Sequence, residues 1–178
     1  MSVTPKTAHE LLKILSYRHS ILLRARVDKA PGLFKDRNNR AGSTLFVDFN
    51  LVKETLIKSF DFYRALQHPF SEAAYMMFVI SEAPPFIDGN GRIARIMMNA
   101  ELAKETQSKI IIPTVFRDDY MGALKKLTRQ QIADPYIRML ETAQEFSSGI
   151  YGDDMDKMQQ QLERNNAFLE HTEGKLNI

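Results

Sequence analysis

The sequence predicts a mainly α protein, a helical bundle with one short β-hairpin flap. Three observations carry that prediction. Apolar residues recur at helical spacing over most of the chain, the central segment 69–82 is apolar on most sides, and a single turn-rich stretch between residues 33 and 47 is β-prone. A helix that is apolar nearly all round is the buried centre of a bundle. The 178 residues are enough to bury a core without disulfide or metal staples.

The elements follow in order. Residues 7–26 carry Leu11, Leu12, Ile14, Leu15, Ile21, Leu22 and Leu23 and read as a first helix. Residues 28–39 are turn-rich, with Pro31-Gly32 and Asn38-Asn39; Leu33-Phe34 within them and residues 44–47 after them pair as the expected hairpin. Residues 50–66 return to helical spacing through Leu51, Val52, Leu56, Ile57, Phe60 and Tyr63. His68-Pro69 starts a helix, since proline is tolerated in a first turn, and Pro84-Pro85 stops it near Glu82. A polar loop follows, and a helix runs from near Arg92 to about Lys104. Beyond an extended Ile110–Pro113 come helices over 118–127 and 135–146, then a charged helix over 155–169 with few apolar anchors. The expected organisation is one domain over 1–150 with a helical tail over 151–178.

Composition excludes several classes. With 44% apolar and 26% charged residues the chain is globular rather than disordered. The absence of cysteine excludes disulfides, zinc–thiolate sites and a thiol nucleophile. No apolar run reaches the roughly 18 residues of a membrane span, and residues 2–10 are too polar for a signal peptide, so a cytoplasmic protein without membrane attachment is expected. A net charge of +2 is too small to predict a DNA partner. The basic residues are concentrated forward, nine Lys/Arg against four Asp/Glu in 1–50, and such a face either meets an anion or is simply solvated.

The chemistry concentrates in Pro85-Phe86-Ile87-Asp88-Gly89-Asn90-Gly91-Arg92-Ile93-Ala94-Arg95. Two glycines flank Asn90 where a tight loop opens into a helix, and the first amides of a helix form an anion site. Arg92 and Arg95 lie on one face of the first turn, where cations oppose the helix dipole unless an anion or an acidic residue answers them. Phosphate suits guanidinium, and Asp88 can hold a magnesium ion bridging two phosphates. Together they read as a di- or triphosphate cradle; the competing reading is a glycine loop whose arginines pair with acidic side chains. A dinucleotide fingerprint is excluded because a helix, not a strand, precedes the glycines. A calcium loop is excluded by Arg92.

These residues resemble the motif H-x-F-x-[DE]-G-N-G-R-x-x-R of the Fic (Fido) family. Phe86, Asp88, Gly89, Asn90, Gly91, Arg92 and Arg95 match it position by position. Residues 31–47 resemble the family's flap and residues 116–136 its later helices, so the resemblance covers roughly 7–146. It implies a Fic-type helical bundle that transfers AMP from ATP to a hydroxyl of a target protein, with Mg2+. It further implies that Asp88 binds the metal, that Gly89, Asn90, Gly91, Arg92 and Arg95 hold the nucleotide, and that the flap, through Phe34, Lys35 and Phe46, docks the target as an added strand. A homodimer is also expected from the family, and the Met97-Met98 pair fits either core or interface.

One departure opposes the matches. The family's general-base histidine falls at position 84, where this chain has Pro84. Proline takes no proton, and a positioned base contributes about 10²- to 10⁴-fold. The four histidines are His9, His19, His68 and His171. His68 is expected at the far end of its helix in a capping or core-polarity role, His171 in a solvated tail, and His9 and His19 in a first helix whose relation to the loop is open. Glu82 is either a weak surrogate base or a solvated helix end. The reading is thus a nucleotide-binding Fic-type protein, catalytically impaired as an adenylyltransferase. The alternatives are an active transferase with an atypical base and a protein-interaction module that binds no nucleotide. The family's inhibitory pattern [ST]-x-x-x-E-[GN] finds only a partial match at Glu173-Gly174, read either as a vestigial inhibitory helix or as a plain surface helix.

Overall fold

Thr7 starts the first helix: its hydroxyl accepts the Glu10 amide N–H and satisfies one of the donors a helix N-terminus leaves unpaired. In the computed structural model, which describes residues 3–42 and 44–177, helix α1 spans Ala8–Leu22. Leu11, Leu15, His19 and Leu23 recur every fourth residue as a buried ridge. Ile21, assigned to the apolar set by spacing, is instead 51% exposed.

The flap differs from the expected pairing. The hairpin joins β1, Arg40–Ala41, to β2, Thr44–Leu45, antiparallel with Arg40 opposite Leu45. Leu33-Phe34 is an irregular arm rather than its first strand, because its backbone bonds elsewhere: the Lys35 N–H donates to the Pro85 carbonyl.

Helix α2, Val52–Ala65, buries Val52, Leu56, Phe60 and Tyr63. Helix α3, Pro69–Glu82, has proline in its first turn, and helix α4 spans Asn90–Lys104. α3 and α4 pack on each other and form the centre of this unit. Met76, Met77 and Ile80 on α3, and Ile93, Ala94, Met97 and Met98 on α4, are at most 1% exposed. Each of the larger side chains contributes roughly 1.5–3 kcal/mol by leaving water. Met97 and Met98 are therefore core residues. His68 holds the N-cap position of α3 by its backbone only; its exposed side chain makes no cap bond, which corrects the expected capping or core role.

The contacts divide the chain into two compact units, Met1–Gln107 and Ser108–Ile178. In the second, α5, Arg117–Gln130, packs on α6, Asp134–Ser148. The Ser147 hydroxyl of α6 accepts the Ile111 N–H at 2.7 Å and fixes the extended segment before α5. Helix α7, Met155–Arg164, is capped by Asp154 and buries no residue, as its charged sequence implies. It stops short of the expected 169, and its successor segment is tied by the Thr114 N–H donating to the Ala167 carbonyl. Residues 169–174 are not helical, so the partial inhibitory pattern at Glu173-Gly174 sits on neither kind of helix expected for it. His171 is not merely solvated: its Nδ1 lies 2.9 Å from an Asp118 carboxylate oxygen.

Candidate functional site

The loop between α3 and α4 is shaped by its own residues and by four neighbours. Asn90 closes it: Oδ1 accepts the Phe86 N–H at 2.9 Å and Nδ2 donates to the Phe86 carbonyl at 2.7 Å. Asn39 of the flap arm donates Nδ2 to the carbonyls of Phe86 (3.0 Å) and Ile87 (3.2 Å). The Lys35 N–H reaches the Pro85 carbonyl at 2.8 Å. Phe86 is fully buried, with the His19 ring stacked on it at 3.7 Å between centroids and 3° between planes, and Phe34 tilted against it at 5.4 Å.

Gly89 makes the turn into α4. Its φ of +77° is a left-handed conformation that suits glycine, and an added Cβ would stand 3.2 Å from Leu23 Cδ1 and 3.4 Å from His19 Nε2. Having no side chain, Gly89 leaves the start of α4 without a side-chain cap, and the first turn holds no acidic residue. The first helix amides there point outward as the positive end of α4, with the Asp88 carboxylate just before them.

Arg92 and Arg95 add two cations to that end. Arg92 Nη2 stands 3.8 Å from Asp88 Oδ1, with both side chains nearly half exposed, a geometry worth little as an ion pair. Arg95 has no ion-pair partner among the described residues. The competing reading, in which acidic side chains neutralise both arginines, is thus met only by this one long pair.

Asp88 Oδ1 accepts the Gly89 N–H at 2.6 Å, and Oδ2 accepts no hydrogen bond among the described residues. No group of three or more His, Asp or Glu side chains that could hold a metal exists among those residues. A single carboxylate oxygen beside an anion cradle fits a magnesium ion shared with phosphate oxygens, not an ion caged by protein alone.

The side chain at position 84 offers no proton acceptor: Pro84 is buried between Ala83 and Pro85, with no cis peptide bond among the described residues. Of the histidines, His19 comes to the loop, while His68 begins a 14-residue helix whose other end meets it. The imidazole of His19 is committed to the backbone, however. Its Nδ1 accepts the Gly32 N–H at 2.9 Å and its Nε2 lies 3.0 Å from the Asp88 carbonyl oxygen. Burial pushes its pKa down, with the Arg92 charge acting the same way and Asp88 opposing both.

The flap residues divide. Phe34 is half-buried, between Phe86 and the Lys53 ammonium 5.0 Å from its ring. Lys35 is only 4% exposed and donates Nζ to the Val47 carbonyl at 2.7 Å, so its ammonium braces the flap. Phe46 is half-buried just after β2. Beside them, α1 and the flap arm border an open groove lined by Ser16, Tyr17, Leu33, Phe34 and Lys53.

The sequence leaves the place of His19 relative to the loop open and gives no role to the Asn39 side chain or to Glu101, a buried residue farther along α4. His19 was detectable by register, midway between Leu15 and Leu23 on the buried ridge. Asn39 carried only its position in a turn-rich stretch. Glu101, buried on α4 beside Tyr63, is legible only by register, since it follows the apolar Met97-Met98 at helical spacing.

Comparison with known proteins bears on the family and the fold. The sequence profile of the Fic/DOC family matches residues 10–102. The chain is 34% identical over 84 residues to a protein adenylyltransferase Fic of Drosophila persimilis and 33% identical over 89 residues to that of Drosophila willistoni. Those stretches cover 47% and 50% of this chain but only 16% and 18% of the relatives, so the chain spans less than a fifth of their length. Among solved structures, a Fic-domain-containing signaling protein from Bacteroides thetaiotaomicron superposes with a TM-score of 0.68 at 18% identity, covering 76% of this chain and 59% of that one. A Fic family protein from Desulfovibrio desulfuricans gives 0.63 at 18% identity, covering 93% and 62%. The matched profile spans more than half of the sequence and contains the whole loop, and on that ground the chain belongs to the Fic/DOC family.

Proposed function

We propose that this protein binds ATP through the loop at residues 88–92 together with Arg95, and that Pro84 leaves it severely impaired as an adenylyltransferase. The observation that carries the reading is the start of α4, which follows Gly89 with no side-chain cap and no acidic residue in its first turn, and with Arg92 and Arg95 on its first turns. Backbone amides of residues 90–92 would take phosphate oxygens, and the two guanidinium groups would clamp them and stabilise charge developing in a transfer. Asp88 would hold Mg2+, which supplies charge neutralisation between the phosphates when bound. The Asn90 side chain is occupied in closing the loop, so that residue contributes its backbone amide.

In AMP transfer a target hydroxyl would attack the α-phosphorus of ATP, the bond to the β-phosphate oxygen would break with release of pyrophosphate, and the hydroxyl would have to lose its proton. Neither Pro84 nor the doubly hydrogen-bonded His19 offers a site for it. The target would lie along the hairpin β1–β2 as an added strand, with Phe34 and Phe46 beneath it and Lys35 supporting the flap from within.

Calorimetric titration of MgATP into the purified chain tests the reading, with Arg92→Ala as control. Loss of a charge-assisted contact worth about 1.5–3 kcal/mol weakens binding roughly tenfold to a hundredfold. No heat at millimolar nucleotide would overturn it. Pro84→His then restores transfer by about 10²- to 10⁴-fold if only the base is missing. Transfer by the unaltered chain at rates matching Pro84→His would instead support an active enzyme with an atypical base.

A further inference from the structure

We propose that His19 is the positioning residue of the phosphate loop: as a neutral imidazole protonated at Nε2, it ties the loop backbone at Asp88 to the turn at Gly32 from which the flap arm departs. The inference rests on the nucleotide reading above for its functional consequence, but its geometry stands independently.

The tautomer follows from the two partners. The Gly32 N–H can only donate, so Nδ1 must be the bare, accepting nitrogen. The Asp88 carbonyl can only accept, so Nε2 must carry the hydrogen. A second proton would require Nδ1 to release Gly32. The ring is 0% exposed and lies flat on Phe86, which fixes its plane as well as its two ends.

Both ends are themselves pinned. At Gly32, φ is +80°, the Ser16 hydroxyl donates to the carbonyl, and an added Cβ would stand 3.0 Å from Ser20 Cβ; α1 therefore holds this turn at N–H, carbonyl and α-carbon alike. At the other end, the residue after Asp88 is Gly89, whose α-carbon faces Leu23 and His19 so closely that a Cβ meets Nε2 at 3.4 Å. The arm that leaves Gly32 then runs along the loop through the Lys35 N–H to Pro85 and the Asn39 side chain to Phe86 and Ile87. One imidazole thus joins α1, the flap arm and the anion-binding turn. The direction of the Asp88 carbonyl decides where the following amides point, and those amides are the proposed phosphate ligands.

Two measurements test this. The first needs no substitution: ring-nitrogen NMR of the native chain at pH 7.5 shows His19 with Nε2 protonated and Nδ1 bare. An Nδ1–H tautomer or an imidazolium at that pH overturns the proposal. The second separates the two bonds. His19→Gln extends an amide donor to the Nε2 position, His19→Asn keeps an acceptor near Nδ1, and His19→Phe keeps only the stacked ring. Hydrogen exchange at the Gly32 amide stays slow in the Asn variant and becomes fast in the Gln and Phe variants. MgATP affinity follows the other bond: near native in the Gln variant and reduced about tenfold in the Asn and Phe variants, the value of one lost hydrogen bond. A purely space-filling role would not split Gln from Asn in opposite directions in the two readouts, and equal behaviour of all three overturns the proposal. Should the native chain bind no MgATP, the nucleotide reading fails by itself, and the backbone amide shifts of Gly89–Gly91 decide the positioning role. They move in the Phe variant and return in the Gln variant if it holds; they are unchanged in both if it does not.

Discussion

Replacing Glu101 by glutamine should change how stability depends on pH. Glu101 is 0% exposed; its Oε2 accepts the Tyr63 hydroxyl at 2.9 Å, and its Oε1 has no hydrogen-bond partner. Burial raises its pKa from 4.5 to about 7, helped by Glu72 and opposed by the Tyr63 hydrogen bond, Lys104 and Arg18. Because the folded value lies above the unfolded one, the folded protein binds the extra proton. The contribution is fully present below pH 4.5 and is lost as pH rises to about 7. At 1.36 kcal/mol per pH unit across that window, the loss is roughly 3 kcal/mol. Glutamine stays neutral throughout, and any constant penalty from its NH₂ group leaves the slope untouched. Thermal unfolding of both chains by circular dichroism between pH 4.5 and 8 measures the difference. Relative to the native chain, Glu101→Gln should gain steadily with pH, by about 6–12 °C in Tm over the window. A difference in Tm independent of pH would mean that Glu101 is already ionised in the fold, and the burial argument would be wrong.

His19 titrates with the opposite sign: its pKa is lowered by burial, so its contribution is present above the unfolded value near 6.5 and is lost as pH falls through the folded value. Acid unfolding curves should therefore show a loss below pH 6.5 in the native chain that His19→Gln lacks. Gly89→Ala meets a left-handed φ, about 1–2 kcal/mol, and a Cβ contact of 3.2 Å to Leu23. Its Tm should drop several degrees, and an unchanged value would contradict the turn geometry. Lys35→Met keeps the buried stem and removes the bond to Val47, so proteolysis should cut first within residues 36–47. Equal cutting rates in both chains would remove Lys35 from the flap's support.

The fold was readable where one force dominated. The apolar run of α3, bounded by Pro69 and by Pro84-Pro85, left a single solution for both its ends and its depth, and it packs at the centre of the first unit. The glycine-rich loop was readable because backbone conformation limits the residue choice at Gly89. Less was readable where a polar side chain serves the backbone. His19 looks like one more residue of an amphipathic helix until Gly32 and Asp88, distant in sequence, arrive at its two nitrogens. A hairpin forms as expected, between β1 and β2, but Leu33-Phe34 stays out of it despite its strand propensity, because the Lys35 N–H binds the Pro85 carbonyl and Phe34 packs on Phe86, and these tertiary contacts override local preference. Ile21 erred in the other direction, since spacing assigns it to a stripe broader than the ridge that α1 actually buries.

Pro84 could act in two ways, by removing the base and by deforming the loop through its fixed φ. The hydrogen bonds of the loop separate these effects. Asn90, Asn39, Lys35 and His19 reach the backbone at Pro85, Phe86, Ile87 and Asp88, and none uses a side chain at residue 84. Gly89 remains left-handed and no cis peptide bond occurs among the described residues. A histidine at 84 would add a titratable ring to a turn whose course is already set by its neighbours. If the loop binds an anion as proposed, that function and a proton acceptor at residue 84 are separable, because the loop's hydrogen bonds do not depend on a side chain at residue 84. An enzyme that had lost its base by collapse of the loop would have lost the Asn90 and Asn39 bonds with it; here both are in place.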